Sequence, residues 1–268
     1  MDKHSLLELS EEISQIAQKA AESVMDIYLK QKITQKTKVD GSPLTEADLS
    51  SHRLIIERLN KINLNLPVLS EEGKAAFKKD IKAFWLVDPL DGTKEFLNKN
   101  GDFTINIALI ENGVPLLGVV NAPAKDEIFT GISGVGAYKI VEGRLFEITT
   151  KKINIENLRV TLSRSHQTEK DVRFLEVLTG TFKKVEVIEA GSSLKLCRVA
   201  EGQSDIYCRM GPTFQWDIAS GQAVLEAAGG ELRNLRGESF QYSFNSKKKN
   251  PEFYSVGDPT YPWANLFS

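Results

Sequence analysis

Residues Trp85-Leu86-Val87-Asp88-Pro89-Leu90-Asp91-Gly92-Thr93 constrain the fold of this chain more than any others. Here an apolar run that reads as a buried strand ends in two aspartates three residues apart. The strand fixes where Asp88 emerges, Pro89 stiffens a turn, and the turn brings Asp91 round so that both carboxylates face one point. As chemistry this is a metal loop. Hard Mg²⁺ takes oxygen ligands and keeps several waters, so a few carboxylates and a backbone carbonyl such as that of Leu90 suffice. For the hexapeptide alone, an ordinary Asp-Pro-x-Asp-Gly turn is the plain alternative. The next residues tip the balance, because Gly92-Thr93 precedes Lys94-Glu95-Phe96-Leu97, a predicted helix start whose N–H groups would bind phosphate oxygens. Carboxylates for a cation beside donors for an anion are more than a turn requires.

The patterning around this loop predicts a mixed fold. Ile13, Ile16, Ala17, Ala20, Val24 and Ile27 recur at helical spacing after Ser10, a possible N-cap, and predict an amphipathic helix to about Lys30. Thr45-Glu46-Ala47-Asp48 resembles a capping box opening a second helix. From Ala83 to Ile132 the texture is of short β-rich runs, with Glu111-Asn112-Gly113 as a hairpin turn, and predicts an antiparallel sheet that Gly134, Gly136 and Tyr138 continue. Beyond Glu156, strand-like Leu158–Leu162 and Val185–Glu189 alternate with helical Glu169–Leu178 and Leu194–Glu201. A last helix, Asp217–Ala228, stops at Gly229-Gly230.

Composition excludes several classes of function. A net charge of −2 supplies no positive field for a polymeric nucleic acid. The two cysteines, Cys197 and Cys208, have neither disulfide-scaffold nor zinc spacing and read as inert thiols in a reducing compartment. No apolar run approaches the ~20 residues of a membrane span, and Glu8, Glu11 and Glu12 interrupt any signal-peptide core. The expected location is therefore the cytoplasm.

Three further acidic signals are weak singly. Glu71-Glu72 follows the strand-like Val68-Leu69-Ser70, and alone it reads as surface. Asp217, after a Gly211-Pro212 turn and Phe214-Gln215-Trp216, stands at the first position of a helix, where an N-cap is its commoner job. Asp48 has an equally ordinary role in its capping box. Together these segments resemble the inositol monophosphatase superfamily of lithium-sensitive, magnesium-dependent phosphatases. Ser70-Glu71-Glu72, Asp88–Thr93, Gly134–Tyr138 and Trp216-Asp217-Ile218-Ala219 carry the resemblance, which extends over nearly the whole chain.

The resemblance implies an α/β (α+β) fold, the layered αβαβα sandwich of the inositol monophosphatase/fructose-bisphosphatase type. It places the metal loop in an N-terminal α+β part, residues 1–157, and the last ligand in a C-terminal α/β part, residues 158–268. It implies two or three Mg²⁺ ions on Glu71, Asp88, the Leu90 carbonyl, Asp91 and Asp217. Thr93, backed by Asp48, is implied to take the proton of the attacking water, with Glu71 helping to orient that water. Chemistry agrees, since a threonine hydroxyl is no base but relays a proton to a hydrogen-bonded carboxylate.

Within that superfamily the chain is similar to the 3′(2′),5′-bisphosphate nucleotidases of sulfate assimilation. Ser163-Arg164-Ser165-His166, Gly191-Ser192-Ser193-Leu194-Lys195, Ala200-Glu201-Gly202 and Arg209-Met210-Gly211-Pro212-Thr213 carry this narrower likeness. It implies a small bisphosphorylated nucleotide as substrate, namely adenosine 3′,5′-bisphosphate, and for bacterial members peripheral association with the inner membrane's cytoplasmic face. It also implies substrate contacts at Gly92, Thr93 and Asp217. Ser163, Arg164, His166, Ser192, Lys195 and Arg209 supply donors for the rest, arginine being suited to bidentate phosphate contacts. An inositol or sugar phosphate phosphatase with the same metals is the nearer rival. A non-catalytic metabolite-binding protein on the same scaffold is the more distant one.

Overall fold

The computed structural model describes residues 1–38, 41–73, 80–165, 168–245 and 248–267. Helix α1 (Lys3–Tyr28) begins earlier than the apolar spacing predicts, because Asp2 caps it by accepting from the Ser5 N–H. Ser10 lies inside the helix and donates to the Leu7 carbonyl. One face, with Leu6, Ile13, Ala17, Ala20 and Val24, is buried. A two-stranded ribbon, β1 (Gln35–Thr37) and β2 (Pro43–Thr45), leads into α2 (Glu46–Leu59). The capping box expected there forms, with Thr45 and Asp48 each satisfying a backbone donor.

The central sheet has seven strands in sequence order: β3 (Val68–Ser70), β4 (Ala83–Asp91), β5 (Thr104–Glu111), β6 (Val114–Ala122), β7 (Glu127–Ile132), β8 (Gly136–Val141) and β9 (Arg144–Ile148). It is antiparallel apart from the β3–β4 pair. Asn112 and Gly113, at φ 51° and 82°, close the β5–β6 hairpin with the two left-handed residues that a tight turn requires. Short helix α3 (Thr93–Leu97) follows the metal loop.

The second sheet holds five strands, all from residue 158 onward. These are β10 (Leu158–Ser163), β11 (Val185–Ala190), β12 (Ile206–Arg209), β13 (Glu231–Asn234) and β14 (Phe253–Val256), in the order β11-β10-β12-β14-β13. The first three are parallel, joined through α4 (Glu169–Thr181) and α5 (Leu194–Ala200). Helix α6 (Gln215–Ala227) follows β12.

Three hydrophobic clusters stack these elements in five layers. One seals α1 and α2 against the seven-stranded sheet, one fills the space where α5 and α6 lie between the sheets, and one joins the five-stranded sheet to α4. This is the expected αβαβα sandwich. Its middle layer depends on missing side chains: a Cβ on Gly118 or Gly131, register partners on β6 and β7, would stand 2.4 Å from α6 backbone atoms. The α6 backbone therefore rests directly on the sheet, which sets the height at which its N-terminus meets the metal loop.

Candidate active site

The parallel strands β10, β11 and β12 all end at one cleft of about 530 Å³, the place where open α/β sheets bind ligands. Ser163, Ser192 and Arg209 come from those strand ends, while Asp88, Leu90, Asp91, Gly92 and Thr93 enter from β4 and the start of α3. Glu71 follows β3, and Asp217 lies in the first turn of α6.

The metal loop is a bulged strand rather than the expected turn. Asp88 pairs with Asn106 and Asp91 with Thr104, so Pro89 and Leu90 together oppose only Ile105. The extra residue swings Asp91 toward the side on which Asp88 emerges. The Leu90 N–H donates to Asp88 Oδ1 at 3.0 Å, and Gly92, at φ 86°, turns the chain into α3. Among the described residues, no side chain caps α3.

Asp88 is 1% exposed, and burial, followed by Glu71, Asp91 and Asp217, pushes its carboxyl well above the usual range. Burial, with Asp91 and Glu71, does the same to Asp217. Asp91 is also raised by burial, against the pull of Lys195. Glu71 is raised by burial despite Lys38, and it stands within hydrogen-bonding reach of Asp88. A buried site tolerates four mutually repelling acids only when they are protonated or when a cation is bound.

This all-oxygen donor set fits Mg²⁺, although in an open form. Among the described residues, there is no group of three or more acidic, imidazole or thiolate side chains placed to hold a metal ion together. An ion that retains waters does not need a closed cage. Each acid also has a protein donor: Lys38 Nζ meets Glu71 Oε1 at 2.6 Å and bonds Glu72, Ser193 Oγ is 3.1 Å from Asp91 Oδ2, and the Phe214 N–H donates to Asp217 Oδ2 at 2.8 Å. Asp217 is accordingly the third residue of α6, bonding back over the helix start, rather than its first. The Glu71-Glu72 pair, which reads alone as surface, is an ion-paired and largely buried feature.

Thr93 Oγ1 lies 3.1 Å from Asp48 Oδ1 and 3.4 Å from the Leu90 carbonyl. Asp48 sits behind the cleft wall, its Oδ2 accepting from the Thr45 N–H and hydroxyl at 2.7 and 2.6 Å. The capping carboxylate is therefore also a hydrogen-bond partner of Thr93. Burial raises its pKa, which favours accepting a proton.

Ser163, Ser192, Lys195 and Arg209 all line the cleft. Lys195 is buried, and burial lowers its pKa to about 8 even though Asp91 favours the charged form. Its Nζ donates to the Ser192 carbonyl at 2.7 Å. Arg164 is not brought into the cleft. Its Nε donates to Asp102 Oδ2 at 2.8 Å and its Nη1 faces Glu189, because the carboxylate of Asp102 is buried and needs a counter-charge. His166 lies outside the described residues.

Two polar residues near the acids escaped sequence reasoning. Ser193 Oγ accepts from Asn106 Nδ2 at 2.8 Å and reaches both Asp91 and the Asp217 carbonyl, the latter at 2.6 Å, tying three elements together. Its place in Gly191-Ser192-Ser193 was a visible signal. Lys38, on the ribbon preceding α2, had none, since nothing local distinguishes it from a surface lysine.

The sequence matches the model of the Inositol monophosphatase family over residues 5–254. It is 40% identical over 249 residues to the 3′(2′),5′-bisphosphate nucleotidase CysQ of Salmonella typhimurium, covering 91% of this chain and 97% of that one. Among solved structures, CysQ from Bacteroides thetaiotaomicron, a bacterial member of the inositol monophosphatase family, aligns with a TM-score of 0.81 at 36% identity, covering 92% of this chain and 97% of that one. An IMPase/NADP phosphatase complexed with Mg²⁺ and phosphate aligns at 0.79 with 18% identity, covering 98% and 95%. At that identity the likeness concerns the fold alone.

Proposed function

This chain belongs to the inositol monophosphatase family, and from that premise we propose that it is a 3′(2′),5′-bisphosphate nucleotidase, releasing phosphate and AMP from adenosine 3′,5′-bisphosphate. The observation that carries this is a single cleft lined by Glu71, Asp88, Asp91 and Asp217 together with Ser163, Ser192, Lys195 and Arg209. Hydrolysis of a simple phosphate ester needs only the acids and their ions. A second phosphate and a ribose need the cations and hydroxyls as well.

Glu71, Asp88, the Leu90 carbonyl, Asp91 and Asp217 would hold two or three Mg²⁺ ions. Bound there, Mg²⁺ would lower the pKa of a water and neutralise charge on the phosphate and the departing ribose oxygen. The protein itself contributes proton handling and positioning. Thr93 Oγ1 takes the proton of the attacking water as its own passes to Asp48 Oδ1, the carboxylate that burial makes more basic. Glu71, steadied by Lys38, orients the water. Lys195 and Arg209 bind the phosphate that is not cleaved, and Ser163 and Ser192 offer hydroxyls to the nucleoside.

Phosphate release from adenosine 3′,5′-bisphosphate and from inositol 1-phosphate, each with Mg²⁺, tests this directly. The bisphosphate should be the better substrate by kcat/KM. A preference for inositol 1-phosphate would assign the chain to another branch of the family, and no turnover of either would favour a binding protein.

No described helix is long and apolar enough to cross a membrane.

A further inference from the structure

Asp102 lies just before β5 and belongs to no group assigned so far, yet it touches the segments that follow both β10 and β11 at the cleft. Its side chain is 3% exposed, with Oδ1 2.9 Å from Lys125 Nζ. Oδ2 accepts from Arg164 Nε at 2.8 Å and from the Gly191 N–H at 3.1 Å. Its carbonyl accepts from Ser192 Oγ at 2.9 Å. A Cβ on Gly191 would stand 2.7 Å from the Asp102 Cβ and carbonyl oxygen, and one on Gly92 would stand 3.1 Å from that same oxygen. One residue of the N-terminal part thus grips the end of β10, the end of β11 and the exit of the metal loop.

We propose that Asp102 is the positioning residue for the nucleotide, an inference that rests on the nucleotidase reading. Ser192 holds φ at 44°, a left-handed conformation unfavourable for a residue with a side chain, and persists there because its hydroxyl is held by the Asp102 carbonyl and faces that of Asp91 at 3.3 Å. The Ser192 carbonyl in turn receives Lys195 Nζ, so the turn decides where the ammonium points. Arg164, drawn outward by the same carboxylate, sits between Ser163 and Ser165, which both line the cleft. The Asp102 carboxylate therefore acts through Arg164, beside Ser163, and through the Gly191 N–H, which precedes the Ser192 turn that receives Lys195, and it touches no reacting atom.

The test is Asp102→Asn, which keeps the size and removes the charge, alongside Arg164→Gln, whose side chain is 41% exposed and should leave folding intact. KM for adenosine 3′,5′-bisphosphate should rise by about tenfold in Asp102→Asn, as expected for loss of a charge-assisted contact network. Turnover number, the Mg²⁺ concentration for half-activity and competitive inhibition by inorganic phosphate should stay within about twofold, since uniform binding is lost rather than transition-state stabilisation. Arg164→Gln should show part of the KM rise, and the double variant less than the product of the two. A lower melting temperature with unchanged KM in both variants would make Asp102 merely structural and overturn the inference alone. Wild-type protein inert toward the bisphosphate would overturn the nucleotidase reading, and this inference with it.

Discussion

At the scale of single residues, the proposed roles divide into groups that serve the transition state and groups that serve binding, and kinetics should separate them. Thr93 is tied to Asp48 and the Leu90 carbonyl, contacts that need no apolar packing by its methyl group. Thr93→Ala should therefore fold and bind metal normally yet lose on the order of 10²–10⁴ in kcat, the usual cost of a missing proton relay. Asp48→Asn should lose comparable activity. Its buried Oδ2 also holds Thr45, so it should lose stability too, and thermal melting of both variants would show the difference. Lys195 behaves in the opposite way. Its ammonium is buried in the cleft and donates to the Ser192 carbonyl, so on the proposed reading, in which it binds the phosphate that is not cleaved, Lys195→Ala should raise KM for adenosine 3′,5′-bisphosphate by roughly ten- to a hundredfold while kcat changes little. Adenosine 3′-monophosphate, which lacks the second phosphate, should be almost insensitive to the change; an equal loss on both substrates would show that Lys195 does not read that phosphate.

At the scale of elements, α6 shows how a fold delivers a residue. Its backbone lies on Gly118 and Gly131, and Gly221 on its other side faces Leu196 of α5. Any side chain at Gly131 collides with backbone, which cannot rotate away. Gly131→Val should thus destabilise by more than the about 1–3 kcal/mol typical of overpacking and should lift Asp217 away from Asp88 and Asp91. Melting temperature and calorimetric Mg²⁺ affinity should fall together; a stable variant with native metal affinity would refute the link. None of this was legible in the sequence, where Gly118 and Gly131 look like ordinary strand glycines. Periodicity shows which residues face inward but not which neighbour they meet. The same limit explains the other differences. The Thr45–Asp48 capping box and the Asn112-Gly113 turn are local signals, and both were readable. Strands β12, β13 and β14 are only four residues each, too short for alternation to register, and tertiary pairing defines them. The bulge in β4 also escaped, because Pro-Leu between two aspartates describes a turn and a bulge equally well until the partner strand is known.

At the scale of the whole molecule, the two sheets come from opposite ends of the chain, and the acids of the cleft come from both ends too. Asp88 and Asp91 leave the seven-stranded sheet, whereas Asp217 arrives on a helix that follows the five-stranded one. A cation bound among them is therefore a bond between halves, and its effect on stability should depend on pH in a defined direction. Burial, reinforced by mutual repulsion, raises Asp88 and Asp217 well above an ordinary value of 3.8, and burial raises Asp91 and Glu71 as well. In the metal-free protein the folded state then holds protons that the unfolded state has already released. Stability from these groups is complete below the ordinary carboxylate range and declines as pH rises through their raised folded values, so metal-free protein should weaken from mildly acidic toward neutral pH. Mg²⁺ competes for the same oxygens and binds only the deprotonated set, so it restores at neutral pH what deprotonation removes. At a hundred times its dissociation constant the ion contributes about 2.7 kcal/mol, which for a chain of this size corresponds to roughly 5–10 °C in melting temperature. Thermal melts with Mg²⁺ and with a chelator should therefore differ by that amount at pH 7.5 and by clearly less at pH 5. An equal difference at both pH values would mean that the ion binds somewhere other than among these carboxylates.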